Sequence, residues 1–161
     1  MSPTTVQILG EKALDQECGQ SCVDWAVGLL ETGSDSDALA VLAGMTPPFN
    51  HFEVAGRRDR ALAELGIADV SKNQAVREWA GEHLRRAWNE PAYCRSALSF
   101  VSDLCIRNDY QQDLFDFYLL DCAWDDLDEV GVAYHWLEAT RDSIAAVVRA
   151  RIESFLSDRV F

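Results

Sequence analysis

Apolar residues recur along this chain at helical spacing, and the alternation of a half-buried strand does not recur. Cys18, Cys22, Trp25, Ala26, Leu29 and Leu30 fall on one helical face, and Gly33 is placed to end that helix in a left-handed cap. Ser34-Asp35-Ser36 then offers side-chain acceptors for a short helix, apolar at Leu39, Leu42 and Ala43 and closed by Gly44. Pro47 and Pro48 bar continuation, and Asn50 with Glu53 has the capping-box spacing. The helix it opens is lined by Val54, Ala61, Leu62 and Leu65 and ends at Gly66. Ser71 with Gln74 makes a second box-like start, leading into Val76, Trp79, Ala80, Leu84, Ala87 and Trp88. Pro91 suits a first helical position, before a face of Cys94, Leu98, Val101, Leu104 and Cys105. Asn108-Asp109 breaks the pattern, and Asp109 with Gln112 is placed to cap a further helix with a core stripe of Phe115, Tyr118, Leu119 and Cys122. Beyond Gly131, the last stripe is Ile144, Val147, Val148, Ile152, Phe155 and Leu156.

Short connections between such segments imply neighbours packed antiparallel or at steep angles. The expected fold is all-α, a compact single-domain bundle of about six to seven helices over residues 1–161. No repeat of fixed period and no low-complexity linker suggests otherwise.

Charge narrows the function classes. The net charge is −13 and the pI near 4.5, whereas nucleic acids and anionic membranes need Lys and Arg to neutralise phosphate. The balance favours basic partners, or simple solubility. No stretch approaches the length of apolar residues a membrane span needs. Met1-Ser2-Pro3-Thr4-Thr5 lacks the basic region and apolar run of a secretory signal. Five cysteines, an odd count, then read as reduced thiols of a cytoplasmic protein.

The densest chemistry lies between Asn108 and Glu129, which holds eight carboxylates and no Lys or Arg, interleaved with Tyr110, Phe115, Phe117, Tyr118 and Trp124. At roughly 100° per residue, Asp109, Asp113, Asp116, Asp121, Asp125 and Asp128 share about half of the helix circumference. Phe117, Leu120 and Trp124 project among them, opposite the stripe of Phe115, Tyr118 and Cys122. Such a face meets Lys and Arg heads with charge and their methylene stems with apolar area. The alternative is that Phe117, Leu120 and Trp124 pack inward and the acids face water. The candidate partner-binding set is Asp109, Asp113, Asp116, Phe117, Asp121, Trp124, Asp125, Asp126, Asp128 and Glu129.

Other motifs carry less. The run Asp125-Asp126-Leu127-Asp128-Glu129 lacks the alternation and internal glycine of a hard-cation loop. His51, His83 and His135 make no paired-ligand motif, and the nearest approach is His135 with Glu138 on one helical face. Cys18 and Cys22 read as a pair inside a helix, without the reactive geometry of two cysteines at a helix start. Residues 34–44 and 50–66 evoke a helix-turn-helix, with Arg57, Arg58 and Arg60 as a local basic patch. The surrounding block, residues 1–70, nevertheless carries 11 acids against 4 bases, the wrong setting for reading DNA. No metal and no cofactor is expected.

Trp25-Ala26-Val27-Gly28-Leu29-Leu30-Glu31-Thr32-Gly33-Ser34-Asp35-Ser36, followed by Leu39 and Leu42-Ala43-Gly44, resembles a stretch in a group of small bacterial all-helical proteins of unknown function. The likeness continues through Phe52-Glu53-Val54 and Arg60-Ala61-Leu62-Ala63-Glu64-Leu65-Gly66-Ile67. The C-terminal half is similar in Leu104-Cys105, Phe117-Tyr118-Leu119-Leu120-Asp121 and Trp124-Asp125-Asp126-Leu127. The chain departs at Asp121-Cys122, where a second acid is expected. The resemblance implies a cytoplasmic helical domain and brings no established activity. Some such proteins look like immunity partners of bacterial toxins. The expected function is therefore an interaction module that binds and neutralises a basic partner such as a toxin or nuclease domain. The alternatives are a helical metal-dependent hydrolase with Asp and His ligands, and a regulatory subunit of a larger complex.

Overall fold

The computed structural model describes residues 2–67 and 69–158. These residues form eight α-helices and two single 3₁₀ turns, with no strand among them. The expected fold class stands, with one helix more than the apolar pattern signals. The additional element is α1, Thr5–Ala13. It is nine residues long with Gly10 in its interior, a residue that costs about 1 kcal/mol against alanine in a helix. It exists because tertiary contacts hold it: Thr4 caps the amide of Gln7, Thr5 Oγ1 accepts from Trp25 Nε1 at 3.0 Å, and Ile8 is fully buried.

By its internal packing the chain divides into two compact units, with the boundary between Ala75 and Val76. The first unit contains α1, α2 (Gln20–Glu31), α3 (Asp37–Ala43) and α4 (His51–Glu64). Its core joins Ile8, Cys22, Trp25, Ala26, Leu39, Leu42, Val54, Ala61 and Leu62, all less than a tenth exposed. The expected caps form. Ser36 Oγ accepts from the amide of Leu39, and Asn50 Oδ1 accepts from the amides of Phe52 and Glu53. Gly33 and Gly66 adopt φ of +94° and +68°, which an L side chain rarely tolerates. The following residues, Ser34 and Ile67, donate back to the carbonyls of Leu29 and Leu62 at 3.0 Å, the paired closure that ends a helix. Glu64, near the end of α4, accepts from Ser36 Oγ and from the amide of Ala38, so one carboxylate tethers the start of α3 to α4.

The second unit contains most of α5 (Lys72–Asn89), α6 (Cys94–Arg107), α7 (Phe115–Val130) and α8 (Ile144–Ser157). Ser71 Oγ accepts from the amide of Gln74, as the box-like spacing predicts. Pro91 opens the 3₁₀ turn that leads into α6. Helices α6 and α7 form the most extensive helix pair of the unit. Helix α5 meets α6 through rings: Trp79 stands edge-on to Phe100 at 5.2 Å, and His83 stacks on Phe100 at 3.7 Å. Burial, and then the charge of Arg86, depress the pKa of His83 below its ordinary value.

The expected cap at Asp109 does not form. Asp109 and Tyr110 take positive φ, +53° and +55°, in a tight turn that ends α6, and a 3₁₀ turn (Gln112–Leu114) precedes α7. Asn108 and Gln111, both buried, satisfy the turn instead: Asn108 Nδ2 donates to Gln111 Oε1 and Gln111 Nε2 to Asp113 Oδ1, each at 2.6 Å.

A depressed histidine pKa means that the unfolded chain binds the proton more readily than the folded one. Stability attributable to neutral His83 is complete above the ordinary pKa of 6.5 and is lost as pH falls through and below it. In urea titrations across that range, the wild type should lose stability on acidification more steeply than His83→Gln. Parallel curves would remove His83 as the cause.

Candidate functional site

Helix α7 carries the acidic run, and its inward face differs from the expected stripe. Phe117, Leu120 and Ala123 are fully buried and Leu127 is 1% exposed, while Phe115, Tyr118, Leu119 and Cys122 are only half-buried. Phe117 packs edge-on against Phe155 of α8, ring centroids 5.5 Å apart. The helix is therefore rotated relative to the sequence reading, and Phe117 and Leu120 are core residues, not contacts for a partner. Two apolar stripes of equal spacing run along this segment. Continuation decides between them: the true stripe extends to Leu114 and Leu127, whereas the other runs into Asp126 and Glu129.

Most of the carboxylates are answered from within the second unit. Arg77 Nη1 donates to Asp113 at 2.6 Å, and Arg151 Nε to Asp116 at 2.8 Å. Arg95 forks across one helical turn, binding Asp121 at 2.6 Å through Nη1 and Asp125 through Nη2. Its guanidinium also stands over the Trp124 ring, 5.1 Å from the centroid, so Trp124 is half-covered by the same cation. The charge run of the sequence is thus not a charge run of the surface. Asp113, Asp116 and Asp121 serve packing.

The C-terminal end of α7 is different. Asp125, Asp126, Asp128 and Glu129 crowd the last turn and a half, with no basic residue in the last turn. A helix C-terminus already carries the negative end of the peptide dipole, so each added carboxylate there costs roughly 0.3–1 kcal/mol. Asp126 is used locally, near His135 Nδ1 at 3.0 Å and the amide of Tyr134 at 3.4 Å. His135 therefore faces Asp126 rather than Glu138. Asp128 and Glu129 are exposed and have no cationic partner among the described residues, as does Asp109 at the far end of the run. Arg141, in the segment that follows, donates to the carbonyl of Leu127 at 2.7 Å and so answers the backbone dipole.

The segment that follows, residues 131–143, adds what the sequence reading missed. Val130 is 60% exposed, Val132 51%, Tyr134 67% and Leu137 82%. Ala133 and Ala139 are buried and anchor the segment, and the Thr140 and Ser143 hydroxyls each accept from the other's amide at the start of α8. Elsewhere exposed large apolar residues are scattered along the chain, the ordinary condition of a surface. The available signal was the alternation of Val130, Val132 and Tyr134 beside acids in a stretch without helical periodicity.

On α7 itself Tyr118 and Cys122 are neighbours one turn apart. Burial raises the Cys122 thiol, and the proximity of Cys122 raises the Tyr118 hydroxyl, so both stay neutral and add no charge to this end. No three His, Cys, Asp or Glu side chains among the described residues are grouped to hold a metal ion. The basic patch also dissolves: Arg57 and Arg60 lie 3.8 Å from Glu53 and Glu64, and Arg58 is buried.

Two substitutions measure these assignments. Phe117→Ala should cost about 3–5 kcal/mol in urea unfolding, and Phe115→Ala roughly half of that or less. Arg95→Met, which leaves the 17%-exposed Asp121 its Ser99 hydroxyl donor but no cation, should cost about 1–3 kcal/mol. Arg95→Lys should recover only part, because an ammonium lacks the planar guanidinium that bonds both carboxylates while standing over the Trp124 ring. No family model, no curated protein and no solved structure matches this chain.

Proposed function

We propose that this protein is an interaction module that binds and neutralises a basic protein partner, in the manner of an immunity protein, through the C-terminal end of α7 and the segment that follows. The observation that carries this reading is local. Unneutralised carboxylates stand against a helix dipole beside four outward apolar side chains, an arrangement that lowers the stability of the free chain. Sequences break local rules of this kind where a site requires it. The expected surface of α7 is thereby replaced: Asp125, Asp128 and Glu129 remain in it, Asp126 shapes it, and Val130, Val132, Tyr134 and Leu137 join it.

The division of labour follows from range. Exposed carboxylates raise the association rate with a basic surface and contribute little once paired in water. Apolar side chains that lose water on contact set the lifetime of the complex. A regulatory subunit would use the same surface in the same way. Nothing among the described residues favours the metal-dependent hydrolase.

The double variant Asp128→Asn/Glu129→Gln should be more stable than wild type, by about 0.5–2 kcal/mol, since two charges leave a helix C-terminus. It should also recover less partner when used as bait in lysate of its own host, with the difference vanishing at high salt. Leu137→Ser should lower recovery at every salt concentration. The captured protein, identified by mass spectrometry, should be basic, and its activity should fall when the wild type is added back. Equal recovery by all three baits would end this reading.

A further inference from the structure

The first unit holds a second arrangement, unrelated to the acidic surface. The helix containing Cys22 begins at Gln20, so Cys18 is not inside it, as the apolar spacing suggests, but lies just before its N-cap residue, Gly19. Cys22 sits in the first turn. The pair therefore occupies a helix start. The two thiols are close enough to act on each other electrostatically.

Three neighbours make this more than a pair of core thiols. Arg58, whose side chain is 7% exposed, reaches Cys18 Sγ with Nη1 at 2.6 Å. Its Nε is held by Asp59 at 3.0 Å, which fixes the plane of the guanidinium. His51 Nδ1 lies against the carbonyl of Cys18, and His51 Nε2 is 3.5 Å from Glu17. A cavity of about 390 Å³ opens over the group, lined by Lys12, Glu17, Cys18, His51, Phe52 and Arg58. Cys18 is thus 6% exposed yet lines an opening, while Cys22, at 1%, does not. In the resting state the Cys18 thiol has a weak contact with the carbonyl of Gln16, at 3.9 Å.

We propose that Cys18 is an oxidation site for small hydroperoxides and that Cys22 resolves it as an intramolecular disulfide. Cys18 sulfur donates an electron pair to the distal peroxide oxygen, and the O–O bond breaks. The peroxide leaves as an alcohol, or as water from hydrogen peroxide, taking up the thiol proton, and Cys18 becomes a sulfenic acid. Cys22 sulfur then attacks Cys18 sulfur, the S–O bond breaks, and the hydroxyl departs with the Cys22 proton as water. Two thiols have lost two electrons and the peroxide has gained them. Arg58, in contact with Cys18 Sγ, is placed to stabilise negative charge as it builds on the departing oxygen. The order of events is set by access, since Cys18 lines the opening and Cys22 does not. Burial first, and the neighbouring Cys18 next, push the Cys22 thiol up to about 12, which makes Cys22 the poorer first nucleophile. Of the other cysteines, the Cys105 thiol is pushed up to about 11 by burial, and Cys94 is raised by burial too.

The experiment treats the folded wild type with one equivalent of hydrogen peroxide or tert-butyl hydroperoxide, then traps remaining thiols with N-ethylmaleimide. The chain should lose the mass of two hydrogen atoms and take three labels in place of the five its free thiols allow. A non-reducing peptide map should place the new bond between Cys18 and Cys22. In Cys22→Ser, dimedone should trap a sulfenic acid at Cys18. Arg58→Lys, confirmed as folded by circular dichroism, should slow the reaction about tenfold, equivalent to about 1.4 kcal/mol of barrier. The same treatment in urea should abolish the preference for Cys18. First modification at Cys94 or Cys122, or equal rates in native and unfolded chain, would overturn the assignment. Neither outcome bears on partner binding, which rests on the other unit.

Discussion

Helix α7 can be packed only because three arginines cancel its charge. Carboxylates at positions 113, 116, 121 and 125 repel one another across successive turns, and α6 and α8 could not close on such a helix while its field stood uncompensated. Arg77, Arg95 and Arg151 arrive from three other helices and bond those side chains directly. Once they do, Phe117, Leu120 and Leu127 can be buried at almost no residual exposure. The arginines do a second task at the same time. Arg95 covers Trp124, Arg151 stands over Phe117 and Arg77 over Phe155, each within about the distance at which a cation gains from a ring face.

That dual use explains a bias in the basic residues. Lysine occurs only at Lys12 and Lys72, and every other basic side chain is arginine. A planar, forked and weakly hydrated cation suits partly buried pairs with carboxylate on one side and a ring on the other, and an ammonium does not. The acidic run and the arginine bias are two halves of one arrangement.

Much of the fold was legible because helix ends are local events. Ser36, Asn50 and Ser71 cap the helices that their spacing predicts, and Gly33 and Gly66 close theirs, since an amide and a side-chain oxygen three residues apart need no distant partner. Helix α1 escaped because its stability comes from contacts such as Trp25 Nε1 to Thr5, which no local pattern encodes. The phase of α7 escaped for the opposite reason. Too many of its positions are apolar, so two stripes fit over residues 115–123, and only continuation to Leu114 and Leu127 picks out the stripe that packs Phe117 against Phe155. The candidate site shared that fate. Its acids were identified as residues, but which of them meet solvent depended on arginines distant in sequence, at positions 77, 95 and 151. Cys18 was misread in the same way, because spacing alone extended α2 two residues too far.

A net charge of −13 describes the whole chain and locates nothing. Potential is set by the carboxylates that no cation answers, and within the second unit the densest group of these is at the C-terminal end of α7, where the peptide dipole adds to them. At physiological ionic strength such a field is screened beyond about 8 Å. It can therefore guide a basic surface only over its last approach, and it cannot by itself hold that surface in place. Tyr134 and Leu137, standing most of the way out of the fold, supply what charge cannot: area that gains by leaving water regardless of salt. The two kinds of group lie side by side because neither is sufficient alone.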